Sequence, residues 1–298
     1  MIEAVRFYAE PELHKPELIA AWPGVGSIGV IAVEALKNLL QAEPLAEIEP
    51  WSFFYPQSLS IKNGQLLTLR FPESKFYYKR TEKKDLLLFI GGEQPGVAEK
   101  GCELAGLVLD VAQRFGCARV YTTAAAVASI HHTSRSRVWA APNQAALLPE
   151  IKTYRNTILI SEFEARGGGG NISGLNGLLL GLAKSRDLPG ICLLGEIPVY
   201  MSQFPVPYPK AAKAILEVLS RNLDISLDLS TLDRQAKEVE DNVDRFYNLI
   251  PDEIRERIDQ LKSGARLEKE TAGGITDEDQ KKIMQEVEDF FKKGGKQD

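Results

Sequence analysis

The sequence predicts an α/β protein: a mixed β-sheet sandwiched by helices, followed by a C-terminal helical extension. Three observations support this fold class. Short β-rich runs alternate with helical patterns through the first 230 residues, as in layered α/β domains with parallel central strands. The segment Glu49–Arg80 is rich in aromatic and β-branched residues and adds an antiparallel portion. Charge density more than doubles after residue 230, from 46 of 230 residues to 31 of 68.

Each element follows from a local pattern. Apolar and β-branched runs predict strands, and apolar residues at steps of three and four predict helices. Asn63-Gly64 between two alternating runs predicts a β-hairpin, Gly116 suits the end of a helix, and Pro209 suits a first helical turn. The predicted strands are Leu18–Trp22, Leu86–Ile90, Arg119–Thr123, Thr157–Ile160 and Ile191–Leu194, and the predicted helices are Val30–Leu40, Leu104–Phe115, Ile172–Arg186 and Pro209–Arg221.

The composition of the 298 residues is that of a soluble globular protein, with 44% hydrophobic and 26% charged residues. The formal net charge of −5 argues against nucleic acid as the main partner, because binding to phosphates needs clustered positive charge. No apolar run approaches the roughly 18 residues of a membrane helix, and the first residues lack the pattern of a secretory signal. We therefore expect a cytoplasmic protein with no membrane partner.

Side-chain catalysis and metal binding find little support. Cys102, Cys117 and Cys192 are scattered and predict small buried hydrophobes rather than disulfides or a zinc site. His131 and His132 are adjacent, and neighbouring residues on a strand point to opposite faces, which is poor geometry for a metal site or a catalytic base. We expect both in a loop or at the surface. There is no Gly-x-Ser-x-Gly elbow. We predict no metal, no cofactor and no catalytic residues, and favour a protein that is not an enzyme.

The charge divides the chain into a domain of residues 1–230 and an acidic helical extension of residues 231–298. The first part holds 23 basic and 23 acidic residues, and the second holds 13 and 18. Apolar residues in the extension recur in a heptad-like pattern, which must cover the body, a second copy or a partner; packing on the body is the commonest case. The heptad-like pattern comprises Leu232, Ala236, Val239, Val243, Phe246 and Ile250, and a last amphipathic helix carries Ile283, Val287, Phe290 and Phe291.

A Gly-x-Gly-x-x-Gly pattern at residues 24–29 follows a strand and opens a helix. Read literally it is a dinucleotide fingerprint, with pyrophosphate at the helix N-terminus and Glu47 or Glu49 near the ribose. Pro23 inside the turn and the β meander that follows argue against this, so we favour a tight turn that permits close packing. The candidates for ligand binding in this loop are Gly24, Gly26 and Gly29.

A second glycine cluster, Gly167–Gly170, also leads into a helix. Its backbone N–H groups could form an anion-binding nest, although no Gly-Lys-Ser/Thr ending of a P-loop follows. Glycines inside the helix each cost about 1 kcal/mol relative to alanine, so close approach of another element or subunit is expected to compensate. The anion-site candidates are Gly169, Gly170, Asn171 and Ser173, and the candidates for packing or oligomer contacts are Gly174, Gly177 and Gly181.

Small and polar residues follow four of the predicted strands, at Trp22-Pro23-Gly24, Gly91-Gly92-Glu93, Thr122-Thr123-Ala124 and Gly195-Glu196. Ligands of α/β sheets bind at the carboxyl ends of strands, so Glu93, Thr123 and Glu196 are candidates for one crevice. Ordinary glycine turns are the alternative interpretation. The crevice supports a second hypothesis for function, a protein or enzyme that binds a nucleoside, nucleotide or other anion. A dinucleotide oxidoreductase is a distant third.

Five segments occur in a specific order and spacing: Trp22–Gly29, Gly91–Pro95, Ile172–Gly181, Leu193–Pro198 and Pro209–Ala212. Together they resemble the proteasome assembly chaperone family, in its prokaryotic branch of uncharacterised members, over roughly residues 15–225. The resemblance implies a mixed α/β sandwich shaped like nucleoside phosphorylases, homo-oligomerisation, no established catalytic residues, and binding of proteasome α-subunits.

The first hypothesis for function is therefore a non-enzymatic, homo-oligomeric, protein-binding chaperone that assists assembly of the proteasome α-ring or binds proteasome subunits. Some members of the family end in hydrophobic-Tyr-X, whereas this chain ends in Lys296-Gln297-Asp298. We therefore expect the helical extension to supply partner contacts. The candidates there are Leu232, Val239, Val243, Phe246, Phe290 and Phe291.

Overall fold

The computed structural model describes residues 4–56, 58–164, 172–202, 204–247, 256 and 259. Within these residues nine strands form one β-sheet, and two more form a separate hairpin. The strands are β1 (Val5–Phe7), β2 (Glu17–Ala21), β3 (Glu43–Ile48), β4 (Ser58–Lys62), β5 (Gln65–Arg70), β6 (Ser74–Lys79), β7 (Leu86–Gly91), β8 (Arg119–Ala128), β9 (Val138–Pro142), β10 (Thr157–Leu159) and β11 (Gly190–Pro198).

The large sheet is mixed, as predicted, with the strand order β1-β3-β6-β7-β2-β8-β11-β9-β10. The central strands β7, β2, β8 and β11 run parallel to one another. Antiparallel pairs follow on both sides, through β6, β3 and β1 in one direction and through β9 in the other. The carboxyl ends of the four central strands therefore lie at one edge of the sheet, which we call the strand-end edge.

The helices of the described part cover both faces of this sheet. None of them is long and apolar enough to cross a membrane. They are α1 (Ile28–Leu39), α2 (Ala98–Arg114), α3 (Leu148–Ile151), α4 (Ser161–Glu164), α5 (Gly174–Ser185), α6 (Pro209–Asn222) and α7 (Ser230–Tyr247).

The side chains of β2 show how the layers form. Ile19 and Ala21 point into a core shared with α1 and α6, whereas Leu18 and Ala20 point into a second core shared with α2 and α5. Successive strand residues face opposite sides, so a strand covered on both faces must be apolar throughout. This explains why the central strands appear in the sequence as uninterrupted apolar runs. The predicted sandwich is confirmed.

The periphery of the sheet differs from the sequence prediction. The hairpin at Asn63-Gly64 is present, but β4 and β5 form their own two-stranded sheet, and only β6 of the predicted meander joins the large one. Strands β8 and β11 extend to Ala128 and Pro198, beyond their predicted ends. Strands β1 and β3 were not predicted, because charged residues interrupt their apolar runs. Strand β9 was also missed, although its five residues are all apolar.

Two of the three cysteines match the expectation of small buried hydrophobes. Cys117 and Cys192 are buried, and burial raises the pKa of each thiol to about 12, which keeps it protonated and unreactive. Cys102 is the exception: it lies on α2 and is exposed, so the expectation was wrong for this residue. Of the two residues beside it on the helix, Gly101 is buried and Glu103 is exposed, so Cys102 lies where the helix surface turns towards solvent.

Candidate functional site

The strand-end edge brings together the motifs that follow β7, β2 and β11. Because these strands and β8 are adjacent and parallel, the loops after them meet at one edge, as the sequence predicts. Thr123 lies deeper than expected: it is inside β8, opposite Leu193 of β11, and is fully buried. Its hydroxyl lies 3.4 Å from the carbonyl oxygen of Ala20 and 3.3 Å from that of Gly29.

Two side-chain amides tie the motif loops to one another. The buried Asn176 of α5 accepts the backbone N–H of Trp22 at 3.2 Å and donates to the Trp22 carbonyl at 3.5 Å. Gln94 donates to the Pro23 carbonyl at 2.7 Å and accepts the N–H of Leu175 at 2.9 Å. An amide can donate and accept at once, so each bridges two segments. These residues hold the loops after β2 and β7 against the start of α5.

The first glycine loop packs closely on its own body. Gly26 has a φ of +60°, and its carbonyl accepts the N–H of Tyr208 at 2.8 Å. A Cβ atom on Gly29 would lie 2.2 Å from the carbonyl oxygen of Thr123 in β8. Gly24 has open space around it. Close helix-to-strand packing therefore accounts for Gly26 and Gly29 without a dinucleotide.

Glu196 is fully buried in β11 and is bound by its own chain. Arg137 donates to its carboxylate from Nη2 at 2.9 Å, from Nε at 3.1 Å and from its backbone N–H at 3.0 Å. The indole of Trp139 donates to the same carboxylate at 2.8 Å. These donors fix β9 beside β11 and leave the carboxylate committed to structure rather than to acid–base chemistry. Glu93, the other acidic candidate, is exposed on the loop after β7.

The second glycine cluster is described in part. Ser173 precedes α5 with extended backbone angles, is exposed, and makes no side-chain cap hydrogen bond. Gly169, Gly170 and Asn171 lie outside the described residues. The anion nest stays a prediction.

The glycines of α5 differ in what surrounds them. Gly174 has a φ of +74°, and a Cβ atom there would lie 2.8 Å from Oε1 of Gln94. A Cβ atom on Gly177 would lie 2.3 Å from the carbonyl oxygen of Ile172. Gly181 has nothing within 4 Å of the same position and is exposed. Contacts within the chain therefore account for two of the three glycines.

Replacing Gly181 with alanine is expected to raise the free energy of unfolding by up to about 1 kcal/mol, because alanine is the better helix former and meets no obstacle. Gly177→Ala is the matched control on the same helix and is expected to lower it, because the new methyl group strikes a backbone carbonyl. Urea denaturation of both variants measures the difference. A Gly181→Ala variant less stable than the parent would contradict the open surroundings of this residue.

The extension begins with α7, which lies on the body. Leu232 is buried, and Val239 and Val243 pack against the same core. The acidic side chains of α7 meet the body in the ion pairs Lys213–Asp233 and Lys210–Glu240, and the carboxylate of Asp244 lies 2.8 Å from Nε2 of His132. The side chain of Phe246 and the whole of Phe290 and Phe291 lie outside the described residues.

His131 and His132 follow β8 in a loop, which meets the expectation of a loop or surface position, and both are buried there. Their rings lie 3.9 Å apart. His132 donates its backbone N–H to the hydroxyl of Tyr200 at 2.7 Å, and its Nε2 lies 2.8 Å from Asp244 of α7. These two partners of His132, Tyr200 and Asp244, lie 68 and 112 residues away in the chain, and no local pattern reveals them.

Removing the Asp244 carboxylate is expected to loosen the last turn of α7. Asp244→Ala takes away the carboxylate that α7 presents to His132, at a cost of about 1 kcal/mol for a partly exposed pair. Hydrogen exchange in the last turns of α7 should then accelerate while α6 keeps its protection. Asp241→Ala is the control, since Asp241 pairs with Lys237 within α7 itself. Equal exchange in both variants would contradict a role for the histidine contact in fastening the helix.

Four exposed valines also lie at the strand-end edge, and we call them the strand-end rim: Val25, Val97, Val127 and Val206. Their exposed fractions range from 39% to 59%. Val25 and Val97 each end a Pro-Gly-Val sequence, and Val206 stands between two prolines. Proline fixes φ, so the loop that carries Val206 has restricted backbone freedom, whereas a flexible glycine directly precedes Val25 and Val97.

The fold and this edge define a class of protein: an α/β sandwich whose strand-end motifs are tied together by hydrogen bonds between side-chain amides and the backbone. Among the described residues no three His, Cys, Asp or Glu side chains are placed to hold a metal ion. The chain belongs to the PAC2 family, whose model matches residues 18–246. The resemblance to prokaryotic relatives of proteasome assembly chaperones is thereby confirmed.

Similar proteins come from archaea and bacteria. An uncharacterized protein of Methanocaldococcus jannaschii is 27% identical over 230 residues, which are 77% of this chain and 82% of that one. The crystal structure of Pyrococcus furiosus PbaB, described as an archaeal proteasome activator, is similar with a TM-score of 0.68 and 28% sequence identity. The match covers 81% of this chain and 97% of PbaB. Rv2125 of Mycobacterium tuberculosis, a proteasome-assembly chaperone homologue, shares the fold at 22% identity, with a TM-score of 0.61 and coverage of 77% and 94%.

Proposed function

We propose that this protein is a non-enzymatic, self-associating chaperone that binds proteasome α-subunits through the strand-end rim. Membership of the PAC2 family supports a role of the proteasome assembly chaperone kind. The 28% identity to PbaB, described as a proteasome activator, supports a proteasome subunit as the partner.

One observation carries the choice of surface. The strand-end edge is where α/β proteins commonly bind their ligands. Here the acidic side chain of Glu196 is already bound by Arg137 and Trp139, and the same edge carries four exposed valines, of which Val206 stands between two prolines. Apolar side chains form the core of protein–protein interfaces, and a loop with restricted freedom loses little entropy when a partner binds. The strand-end edge therefore suits a protein partner better than a small-molecule ligand.

The test compares two exposed apolar residues that lie at opposite edges of the large sheet. Val206 belongs to the rim and is 41% exposed, whereas Leu39 is 40% exposed at the last residue of α1. Since α1 starts at the strand-end edge, it ends at the opposite edge. Val206→Asp is expected to weaken binding to purified α-subunits of the same host by tenfold or more in biolayer interferometry, and Leu39→Asp to leave it unchanged.

Two results would overturn the proposal. One is that the unaltered protein fails to bind α-subunits. The other is that Val206→Asp, combined with Val97→Asp, binds them as tightly as the parent. Circular dichroism of the variants checks that folding is intact, which is expected because both side chains are exposed.

A further inference from the structure

The hairpin of β4 and β5 stands apart from the large sheet and carries exposed apolar residues. A two-stranded sheet on its own is marginally stable in water, so it gains from contact with something else. Tyr55, just before the hairpin, is 93% exposed, and Ile61 on β4 is 70% exposed. Trp51 and Leu69 are exposed nearby. Large exposed apolar side chains concentrated in one stretch of the chain indicate an interaction surface.

A cleft of about 810 Å³ opens beside the hairpin. Trp51 and Phe71 line it with ring centroids 4.5 Å apart, and Leu69 lies beside them. Arg70 and Glu49 line the same cleft. Tryptophan, tyrosine and arginine are the residues that most often carry binding energy in protein interfaces, and this surface holds all three types.

The charges of the cleft indicate what fits it. Arg6 pairs with Glu47 at 3.1 Å, so these two charges are matched within the chain. Arg70 and Glu49 are both exposed, and neither takes part in an ion pair with any residue that the structure describes. A cleft with one unmatched charge of each sign can satisfy both by meeting its own copy, because in a two-fold contact residue i meets j and j meets i. A surface of one sign would instead need a partner of the other sign.

We propose that the hairpin and this cleft form a two-fold interface between two copies of the chain. In it, Arg70 of each copy faces Glu49 of the other, and Trp51, Tyr55 and Ile61 supply the apolar contact around them. This inference rests on the self-association in the proposed function and names its surface, which is separate from the strand-end rim.

Charge reversal tests the pairing. Arg70→Glu and Glu49→Arg each place like charges opposite one another twice per dimer, so each alone should weaken self-association about tenfold or more. The chain carrying both changes restores two opposite-charge contacts and should associate as the parent does. The decisive sample is an equimolar mixture of the two single variants, which should give the heterodimer in preference to either homodimer by native mass spectrometry.

Controls separate this interface from the rim. Tyr55→Asp should reduce self-association without affecting the fold, because the side chain is almost wholly exposed. Val206→Asp should do the opposite, losing α-subunit binding while the mass of the oligomer is unchanged. Single reversals that associate like the parent, a mixture without heterodimer, or a parent that is monomeric at every concentration would each overturn the interface. A failure of α-subunit binding alone would overturn the proposed function and leave the interface standing.

Discussion

Gly29→Ala is expected to lower the free energy of unfolding by about 3 kcal/mol or to prevent folding altogether. The added methyl group would lie 2.2 Å from the carbonyl oxygen of Thr123 and 2.9 Å from its carbon. Both are backbone atoms of β8, which is hydrogen-bonded to β2 on one side and to β11 on the other. Neither the strand nor α1 can move aside without disturbing the centre of the sheet.

Gly24→Ala is the matched control in the same motif. A methyl group there meets nothing within 4 Å, and the backbone has a φ of −164°, which any residue adopts. Its free energy of unfolding should stay within about 0.5 kcal/mol of the parent value in urea denaturation. If Gly29→Ala were as stable as Gly24→Ala, close packing would not explain the motif, and the ligand-binding interpretation of the glycines would gain weight.

The elements that the sequence predicts are those whose signal is local. Strands β2 and β7 are buried on both faces, so their apolar runs are enough to identify them. Strand β3 was not predicted because Glu43 and Pro44 are exposed and its register shifts after Pro44. The separation of the hairpin from the sheet is likewise invisible, since it depends on what lies beside each strand and not on the strand's own residues.

The candidate site shows the same division. The glycine motifs are recognisable from spacing, but Gln94 and Asn176, which tie them together, are not. A side-chain amide has no sequence pattern of its own, and these two bind residues 71 and 154 positions away. Their positions inside motif segments were the available signal. His131 and His132 were placed correctly in a loop, yet the contact of His132 with Asp244 of α7, 112 residues later, has no local signal.

Glu196→Ala is expected to lower the free energy of unfolding by about 3 kcal/mol. The carboxylate is fully buried, and its loss removes the ion-pair partner of Arg137 and the oxygen that accepts the indole N–H of Trp139. Removal of one partner of a buried pair costs 3–5 kcal/mol or so, and the lower figure applies because Arg137 is partly exposed. Glu196→Gln keeps an acceptor for the indole and should lose less.

A surface ion pair supplies the control. Arg135 lies 3.3 Å from Glu217 with a largely exposed side chain, so Arg135→Ala should cost less than about 1 kcal/mol. The sign of the Glu196 result also separates the two hypotheses for the strand-end edge. Residues held for catalysis or ligand binding are commonly strained, and their removal tends to leave stability unchanged or raised. If Glu196→Ala raised the free energy of unfolding, this carboxylate would again be a candidate functional group. A large decrease in the free energy of unfolding would instead assign it to holding β9 on β11.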